Sequence, residues 1–176
     1  MLQIMIKYII RRRIPRRGKK MKTTIKNFVD TKKLAIVGVS RDPMKWGHSL
    51  FREITKKGYT VLPVNPETNE IEGKPCFKSV SDLPEKIDNV IITIPGDKVL
   101  PVLDQCVKAG VKRVWLHQGA GTGAYSAEAK EFCKKNNLGL VYGFCPMMFF
   151  PNAGPHKIHL FFKKLFNAVP AEYKSA

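Results

Sequence analysis

Two cationic residues lie in a turn that is bounded by glycines and follows an apolar run. The run, Leu34–Val37, has the small and branched side chains typical of a strand buried on both faces. Gly38 ends the run, Arg41 and Lys45 follow, and Gly47 opens a segment with helical spacing. Strand, glycine turn and helix are how α/β proteins bring backbone N–H groups to a phosphate. The pattern predicts a phosphate site, although a strand-to-helix turn without a ligand has the same spacing.

The rest of the chain alternates between apolar runs and segments of helical periodicity. Strands are predicted at Leu34–Val39, Tyr59–Val64, Asn89–Ile94, Arg113–Leu116 and Gly139–Tyr142, with a short one near Pro75–Phe77. Helices are predicted at 22–31, 47–57 and 81–86, from a cap at Asp97, from a cap at Ser126 and from Gly154 onward. This alternation predicts an α/β fold with a doubly wound, mainly parallel five-stranded sheet flanked by helices.

The last predicted helix carries a long apolar stripe. Its members are Ile158, Phe161, Phe162, Leu165, Phe166 and Val169. Their spacing is that of one helical face, which is typical of a helix packed against a protein core. We therefore expect this helix to be docked on the sheet.

The loops at the carboxyl ends of the strands are the expected ligand site, because open α/β sheets bind ligands there. These loops are 38–46, 64–66, 94–98 and 117–123. Asn65 follows the second strand, where NAD-binding folds usually carry an acid for the ribose hydroxyls. The G-x-G-x-x-G pattern is absent too, since the first glycine after Gly38 is Gly47. NAD chemistry is disfavoured on both counts.

Six short motifs follow one another along the body of the chain. They are V-G-V-S-R-D-P at Val37–Pro43, the glycine Gly47, G-Y-T-V-L-P-V-N-P at Gly58–Pro66, I-T-I-P at Ile92–Pro95, V-W-L-H-Q-G at Val114–Gly119 and C-P-M at Cys145–Met147. Together, over about residues 31–150, they resemble the small stand-alone CoA-binding domain proteins. That family shares a Rossmann-like fold with the N-terminal domain of the succinyl-CoA synthetase alpha subunit.

The resemblance implies that the chain binds coenzyme A or an acyl-CoA. The phosphates would meet Gly38, Val39, Ser40, Arg41 and Asp42, and Lys45 adds charge to the same turn. The nucleotide end would be flanked by Val64, Asn65 and Pro66, and the pantetheine or adenine path by Ile94 and Pro95. The next strand end would contribute Leu116, His117, Gln118 and Gly119.

Catalytic machinery is not evident in the sequence. The loops contain no paired carboxylates, and no nucleophile elbow accompanies a Ser-His-Asp order. The synthetase also needs a domain that bears a phosphohistidine, which residues 151–176 are too few to supply. We expect a carrier, sensor or regulator that binds CoA without catalysing a reaction of its own. The alternative is a CoA-binding subunit of an acyl-CoA ligase or transferase that needs a partner chain, and homo-oligomerisation stays open.

The histidines divide between the predicted site and the surface. His117 is expected to contact the ligand, whereas His48 in the first turn of a helix is expected to be exposed. His156 and His159 are three residues apart, which is at most half of a metal site. We expect them on a solvated face and predict no metal site.

The four cysteines show neither C-x-x-C nor zinc spacing, which favours a reducing, cytoplasmic setting without disulfides. Cys106 and Cys133 fall inside predicted helices, where we expect buried thiols. Cys145 lies just past the fifth strand, at the edge that carries the loops. It is either a small buried residue at a turn or a thiol able to react with CoA or an acyl group.

Much of the net charge of +17 lies in the first 20 residues, which carry eight cations and no acid. Their apolar part is too short to cross a bilayer. The segment could be a membrane-surface arm, a nucleic-acid arm or an extension upstream of a start at Met21. Nucleic-acid binding is disfavoured because aromatic residues are not interleaved with the charges. We favour a disordered basic extension over residues 1–20 and a single CoA-binding domain over residues 21–176.

The two sources of positive charge should differ in their effect on CoA affinity. Charges beyond about 8–10 Å are largely screened at physiological salt. Deleting residues 1–20 should therefore change the dissociation constant within about threefold, ~0.7 kcal/mol. Arg41→Ala should cost on the order of 1–3 kcal/mol, because it removes a charge-assisted hydrogen bond. Isothermal titration of both variants checks this, and a tenfold loss on truncation with a silent Arg41→Ala would place the phosphates elsewhere.

Overall fold

The computed structural model of the protein describes residues 17–118, 123–152 and 154–174. The helices are α1 Arg17–Asp30, α2 Trp46–Lys56, α3 Val99–Lys108, α4 Ala127–Lys135, α5 His156–Leu165 and α6 Ala171–Lys174. The strands are β1 Lys33–Val37, β2 Thr60–Val64, β3 Glu70–Ile71, β4 Lys74–Pro75, β5 Asn89–Ile92, β6 Arg113–Leu116 and β7 Gly139–Val141. Short 3-10 turns lie at Val80–Asp82, Gly96–Lys98 and Pro146–Met148.

Five of the strands form one parallel sheet in the order β2-β1-β5-β6-β7. Helices α1 and α2 pack on one face, and α3 and α4 on the other. The predicted doubly wound α/β sheet is thereby confirmed. The strands β3 and β4 form a separate antiparallel pair of two residues each.

Both faces of the sheet are buried, as the continuous apolar runs predict. Along β1, Leu34 and Ile36 belong to the core under α1 and α2, whereas Ala35 and Val37 belong to the core under α3 and α4. Phe28 of α1 contacts the Trp115 ring edge-on at 5.4 Å between centroids. This alternation fixes the register, because a shift by one residue would exchange the two sets.

Short elements differ from the sequence prediction more than long ones. A 3-10 turn at Val80–Asp82 replaces the helix expected over 81–86, and Asp97 lies within a 3-10 turn instead of capping α3. The cap at Ser126 is confirmed, since its side chain accepts a hydrogen bond from the Ala129 N–H at 3.1 Å.

The prediction that the last helix is docked on the sheet is wrong. None of the residues of α5 is buried, and most of its stripe is exposed. Of the stripe, only Val169 beyond the helix packs against the core. The sheet face it would cover is already occupied, because α1 supplies Met21, Ile25 and Phe28 to that core and packs against β7 and α6.

The first helix begins earlier than expected. Helix α1 starts at Arg17, so the boundary drawn at residue 21 would cut through its first turn. Residues 1–16 lie outside the described residues. A truncation that spares α1 therefore ends at residue 16.

Within the described ranges, no helix combines the length and the apolar character that a membrane span needs.

An ionic cluster ties the C-terminal α6 to the body. The Lys130 ammonium lies 2.7 Å from Glu172 Oε1, and the Tyr142 hydroxyl donates to Glu172 Oε2. Burial acts to raise the pKa of Glu172, but the hydrogen bonds from Lys130 and Tyr142 outweigh it and lower the pKa to about 2. The ionised carboxylate therefore stabilises the fold above the ordinary pKa of 4.5. That stabilisation is lost as the pH falls from 4.5 towards 2.

Glu172→Gln should accordingly lower the free energy of unfolding by about 1–2 kcal/mol at pH 7, because it removes the charge that Lys130 and Tyr142 satisfy. The difference from the parent should shrink as the pH falls through 4 to 3. Urea unfolding at both ends of this range measures it. Glu131→Gln is the control: among the described residues its exposed carboxylate pairs only with Lys134, at 3.2 Å, and the change should stay within about 0.5 kcal/mol. Equal losses for the two variants would contradict this account.

Candidate functional site

The strand order reverses between β1 and β5, which is where open α/β sheets bind ligands. Three of the predicted loops meet there. The Gly38 N–H donates to the Val64 carbonyl oxygen at 2.9 Å, and the Thr93 hydroxyl donates to the Val37 carbonyl oxygen at 2.8 Å. The Asn65 amide donates to the Val39 carbonyl oxygen at 2.8 Å. The loops after β1, β2 and β5 are thus fastened to one another.

Gly38 packs closely against protein on the side where a Cβ would project. A Cβ at this position would lie 2.7 Å from Thr93 Oγ1 and 2.8 Å from Ile94 Cγ2, and the backbone φ is +93°. The sequence suggests that Gly38→Val blocks phosphate and leaves the protein folded. The structure contradicts this expectation, because the added side chain would collide with the end of β5. Loss of CoA binding by that variant would therefore indicate that the turn is distorted.

Gly47 brings the start of α2 against the same turn. A Cβ on Gly47 would lie 2.2 Å from the Gly38 carbonyl oxygen, which is closer than any real Cβ contact. The N-terminal N–H groups of α2 are consequently held beside the turn at 38–45. Free N–H groups and the helix dipole favour an anion at this place.

The residues after β1 and β2 that were predicted to contact the ligand differ in which of their groups can reach it. The side chains of Val39 and Val64 are buried in the two cores, so only their backbone can face a ligand. Asn65 bridges two loops, because its Oδ1 also accepts from the Glu67 N–H at 2.8 Å. Pro66 and Pro95 are exposed, and Ile94 is half-buried.

The cations of the turn are exposed, whereas its polar side chains are engaged. Ser40 Oγ accepts from the Asp42 N–H at 3.1 Å, and Asp42 Oδ1 accepts from the Met44 N–H at 2.8 Å. These bonds fix the turn locally. Arg41 and Lys45 are exposed and form no ion pair with any described residue. The turn therefore carries two exposed cations against the single acid Asp42, a net charge of +1.

His48 is buried, so the prediction of an exposed side chain is wrong. Only 5% of the residue is accessible. Its Nδ1 lies 2.8 Å from the Ser40 carbonyl oxygen, and its Nε2 lies 3.0 Å from Glu72 Oε1. The ring thus links the turn to the connection between β3 and β4. The partner is 24 residues away along the chain, so no local pattern reveals this role.

His117 lies at the end of β6, where the sequence predicts it. Its ring stacks on the Trp46 ring at 5.1 Å between centroids, and among the described residues its buried Nδ1 has no hydrogen-bond partner. Burial lowers the pKa of His117 to about 4, so the ring is neutral at pH 7. Trp46 was not predicted as a site residue. Its position as an aromatic residue next to the cationic turn is the one feature of the sequence that could have indicated it. Gly119 lies outside the described residues.

A cavity of about 700 Å³ opens beside this stack, and His117 and Gln118 line it. Cys145 lies in its wall, and burial raises the pKa of this thiol to about 11. The buried-residue interpretation of Cys145 fits, and the predicted burial of Cys106 and Cys133 is confirmed. All four cysteines are free thiols.

His156 and His159 also line the cavity, so a merely solvated face does not describe them. His156 is half-buried, 6.5 Å from Trp46 between ring centroids, and His159 is exposed. In the ranges that the structure describes, no three His, Cys, Asp or Glu side chains are grouped to hold a metal ion.

Comparison with known proteins identifies the architecture. The model of the CoA binding domain family matches residues 32–151, well over half of the 176-residue chain. This chain belongs to the CoA-binding domain family. The match contains the loops after β1, β2, β5 and β6, whereas α5 and α6 lie beyond it.

Similar proteins include an acetate–CoA ligase, a ligase alpha subunit and a conserved hypothetical protein. The acetate–CoA ligase (ADP-forming) of Methanocaldococcus jannaschii is 34% identical over 114 residues, which are 62% of this chain and 16% of the ligase. The alpha subunit of acetate–CoA ligase (ADP-forming) II of Pyrococcus furiosus is 35% identical over 104 residues, 58% of this chain and 22% of the subunit. A conserved hypothetical protein of P. furiosus superposes with a TM-score of 0.60 at 37% identity, covering 64% of this chain and 94% of that protein. The chain thus spans under a quarter of these two ligase relatives.

The bridge through His48 should hold the turn at 38–45 in place. His48→Ala should lower the free energy of unfolding by about 1–3 kcal/mol, because the Ser40 carbonyl and Glu72 lose a buried partner. It should also weaken CoA binding, since the turn that follows Gly38 is no longer held. Urea unfolding and CoA titration measure the two effects.

Arg52→Ala is the matched control for this test. Arg52 Nε lies 3.5 Å from the same Glu72 carboxylate, but Arg52 does not touch Ser40. An exposed ion pair contributes about 0–1 kcal/mol, so stability and CoA affinity should both stay close to the parent. If His48→Ala binds CoA as the parent does, the bridge has no role in the site.

Proposed function

We propose that the chain binds coenzyme A or an acyl-CoA at the carboxyl edge of the sheet and acts as a carrier, sensor or regulator. The observation that carries this proposal is the CoA-binding family match, whose residues 32–151 contain the strand-end loops that meet at the switch point. The two exposed cations of the turn, Arg41 and Lys45, suit the phosphates of CoA. The absence of the NAD signature argues in the same direction.

Different residues would contact different parts of the ligand. Arg41, Lys45 and the N–H groups at the start of α2 would hold the phosphates, because they present positive charge and free donors at one place. Asn65 and Pro66 would border the nucleotide end, with Ile94 and Pro95 along the path beside them. His117, Gln118 and Gly119 would border the pantetheine end. The Nδ1 of His117 has no hydrogen-bond partner among the described residues, which suits a polar group of the ligand.

Binding without turnover is favoured by the protonation states at this edge. The Cys145 thiol is protonated at neutral pH, because its pKa is raised to about 11, and is therefore a poor nucleophile. The His117 ring is neutral, but its lowered pKa makes it a weak base. The buried free thiols also fit the reducing cytoplasm as the place of action.

A second proposal is a CoA-binding subunit that acts with a partner chain. It is favoured by the relatives, which are named as acetate–CoA ligases and include an alpha subunit. Affinity capture from native extract, followed by an acyl-CoA ligase assay, tests it. A partner that confers acyl-CoA formation supports the subunit role, and purification of the chain alone from that extract contradicts it.

Titration of the purified chain with CoA, acetyl-CoA, NAD and NADP tests the main proposal. CoA and acetyl-CoA should bind saturably, and NAD at least tenfold more weakly, since the acid for its ribose is missing after β2. Arg41→Ala should weaken CoA binding, whereas a deletion of residues 1–16 should leave it within about threefold at physiological salt. Saturable binding of NAD without binding of CoA would overturn the proposal.

A further inference from the structure

The cavity beside Trp46 and His117 is built from two sources. The family region supplies the start of α2, the end of β6 and the turn that carries Cys145 and Met148. The other wall comes from α5 and the residues after it, which lie beyond the family match. That wall presents Phe162, Phe166 and Ala168. The cavity therefore combines the edge of the sheet in the family region with a segment beyond the family match.

The walls of the cavity are mainly apolar. Lys163 is the single Lys or Arg among its lining residues, and its ammonium donates to the Gly143 carbonyl oxygen at 3.0 Å. None of the described lining residues is an Asp or Glu. Such a wall favours hydrocarbon. Its volume of about 700 Å³ falls in the range of sites that enclose small organic ligands.

The cavity lies next to the cationic turn at 38–45, because Trp46 lines it. Trp46 follows Lys45 directly, and the ring that stacks on it belongs to His117 at the next strand end. With the phosphates at the cationic turn, the pantetheine arm would lead its thiol end past this stack. An acyl group on that thiol would then enter the apolar space.

We propose that this cavity binds the acyl group of a medium-chain acyl-CoA, so that the protein binds such thioesters more tightly than CoA or acetyl-CoA. This inference rests on the proposed CoA site and adds the class of acyl group. Ligand and protein remain non-covalently associated, because the protonated Cys145 thiol leaves the thioester intact.

Titration with CoA and its acetyl, butyryl, hexanoyl and octanoyl thioesters tests the proposal. The dissociation constant should fall by about two- to fourfold for each methylene group that enters the cavity. Phe162→Ala should weaken octanoyl-CoA binding about tenfold, the equivalent of ~1.4 kcal/mol, and leave CoA binding within twofold. Ala168→Phe should fill part of the cavity and shorten the preferred chain.

Phe161→Ala is the matched control, because the Phe161 side chain belongs to the same helix but does not line the cavity. Phe161 is 61% exposed and Phe162 46% exposed, so neither truncation opens the core, and circular dichroism confirms the fold. Affinity that ignores acyl length, or equal losses for the two variants, would overturn the acyl site while the CoA site stands. Octanoate binding as tightly as octanoyl-CoA would overturn it too. Failure to bind CoA and every thioester would instead overturn the proposed function.

Discussion

Helix α2 can begin beside the end of β1 only because two residues there lack side chains. The position of a Cβ on Gly47 is 2.2 Å from the Gly38 carbonyl oxygen, and that of a Cβ on Gly38 is 2.7 Å from Thr93 Oγ1. This three-way contact sets the distance between the helix N-terminus and the ends of β1 and β5. The hydrogen bonds of Asn65 and the burial of His48 follow from it, since both side chains reach the same turn.

The sheet could be predicted from the sequence because its strands are buried on both faces. Arg113–Leu116 is found at the predicted residues, and β1 ends two residues early, where Gly38 adopts a positive φ. Apolar runs and glycines are local signals, so they locate strands and turns well. The grouping of the loops at one edge then follows from parallel topology alone.

The parts that could not be predicted depend on contacts between distant residues. The amphipathic stripe shows that α5 has an apolar face, but it does not show which surface that face contacts. The face of the sheet that α5 was expected to cover is covered by α1. The burial of His48 depends on Glu72, and the stack of His117 depends on Trp46, across separations that no periodicity encodes. The site residues themselves were suggested by family resemblance, which identifies loops but not which side chains are already engaged.

If the phosphates bind at the turn and the acyl group binds in the cavity, different parts of the protein determine the affinity for CoA and the specificity for the acyl group. Contacts at the phosphates are the same for CoA and for every thioester, so they raise the affinity for all of them and distinguish none. Discrimination has to come from the part of the ligand that varies, which is the acyl group. In this chain, that part would meet Phe162 and Phe166, which the family region does not contain. A segment outside the family match is therefore where related chains could differ in ligand without a change in the turn at 38–45.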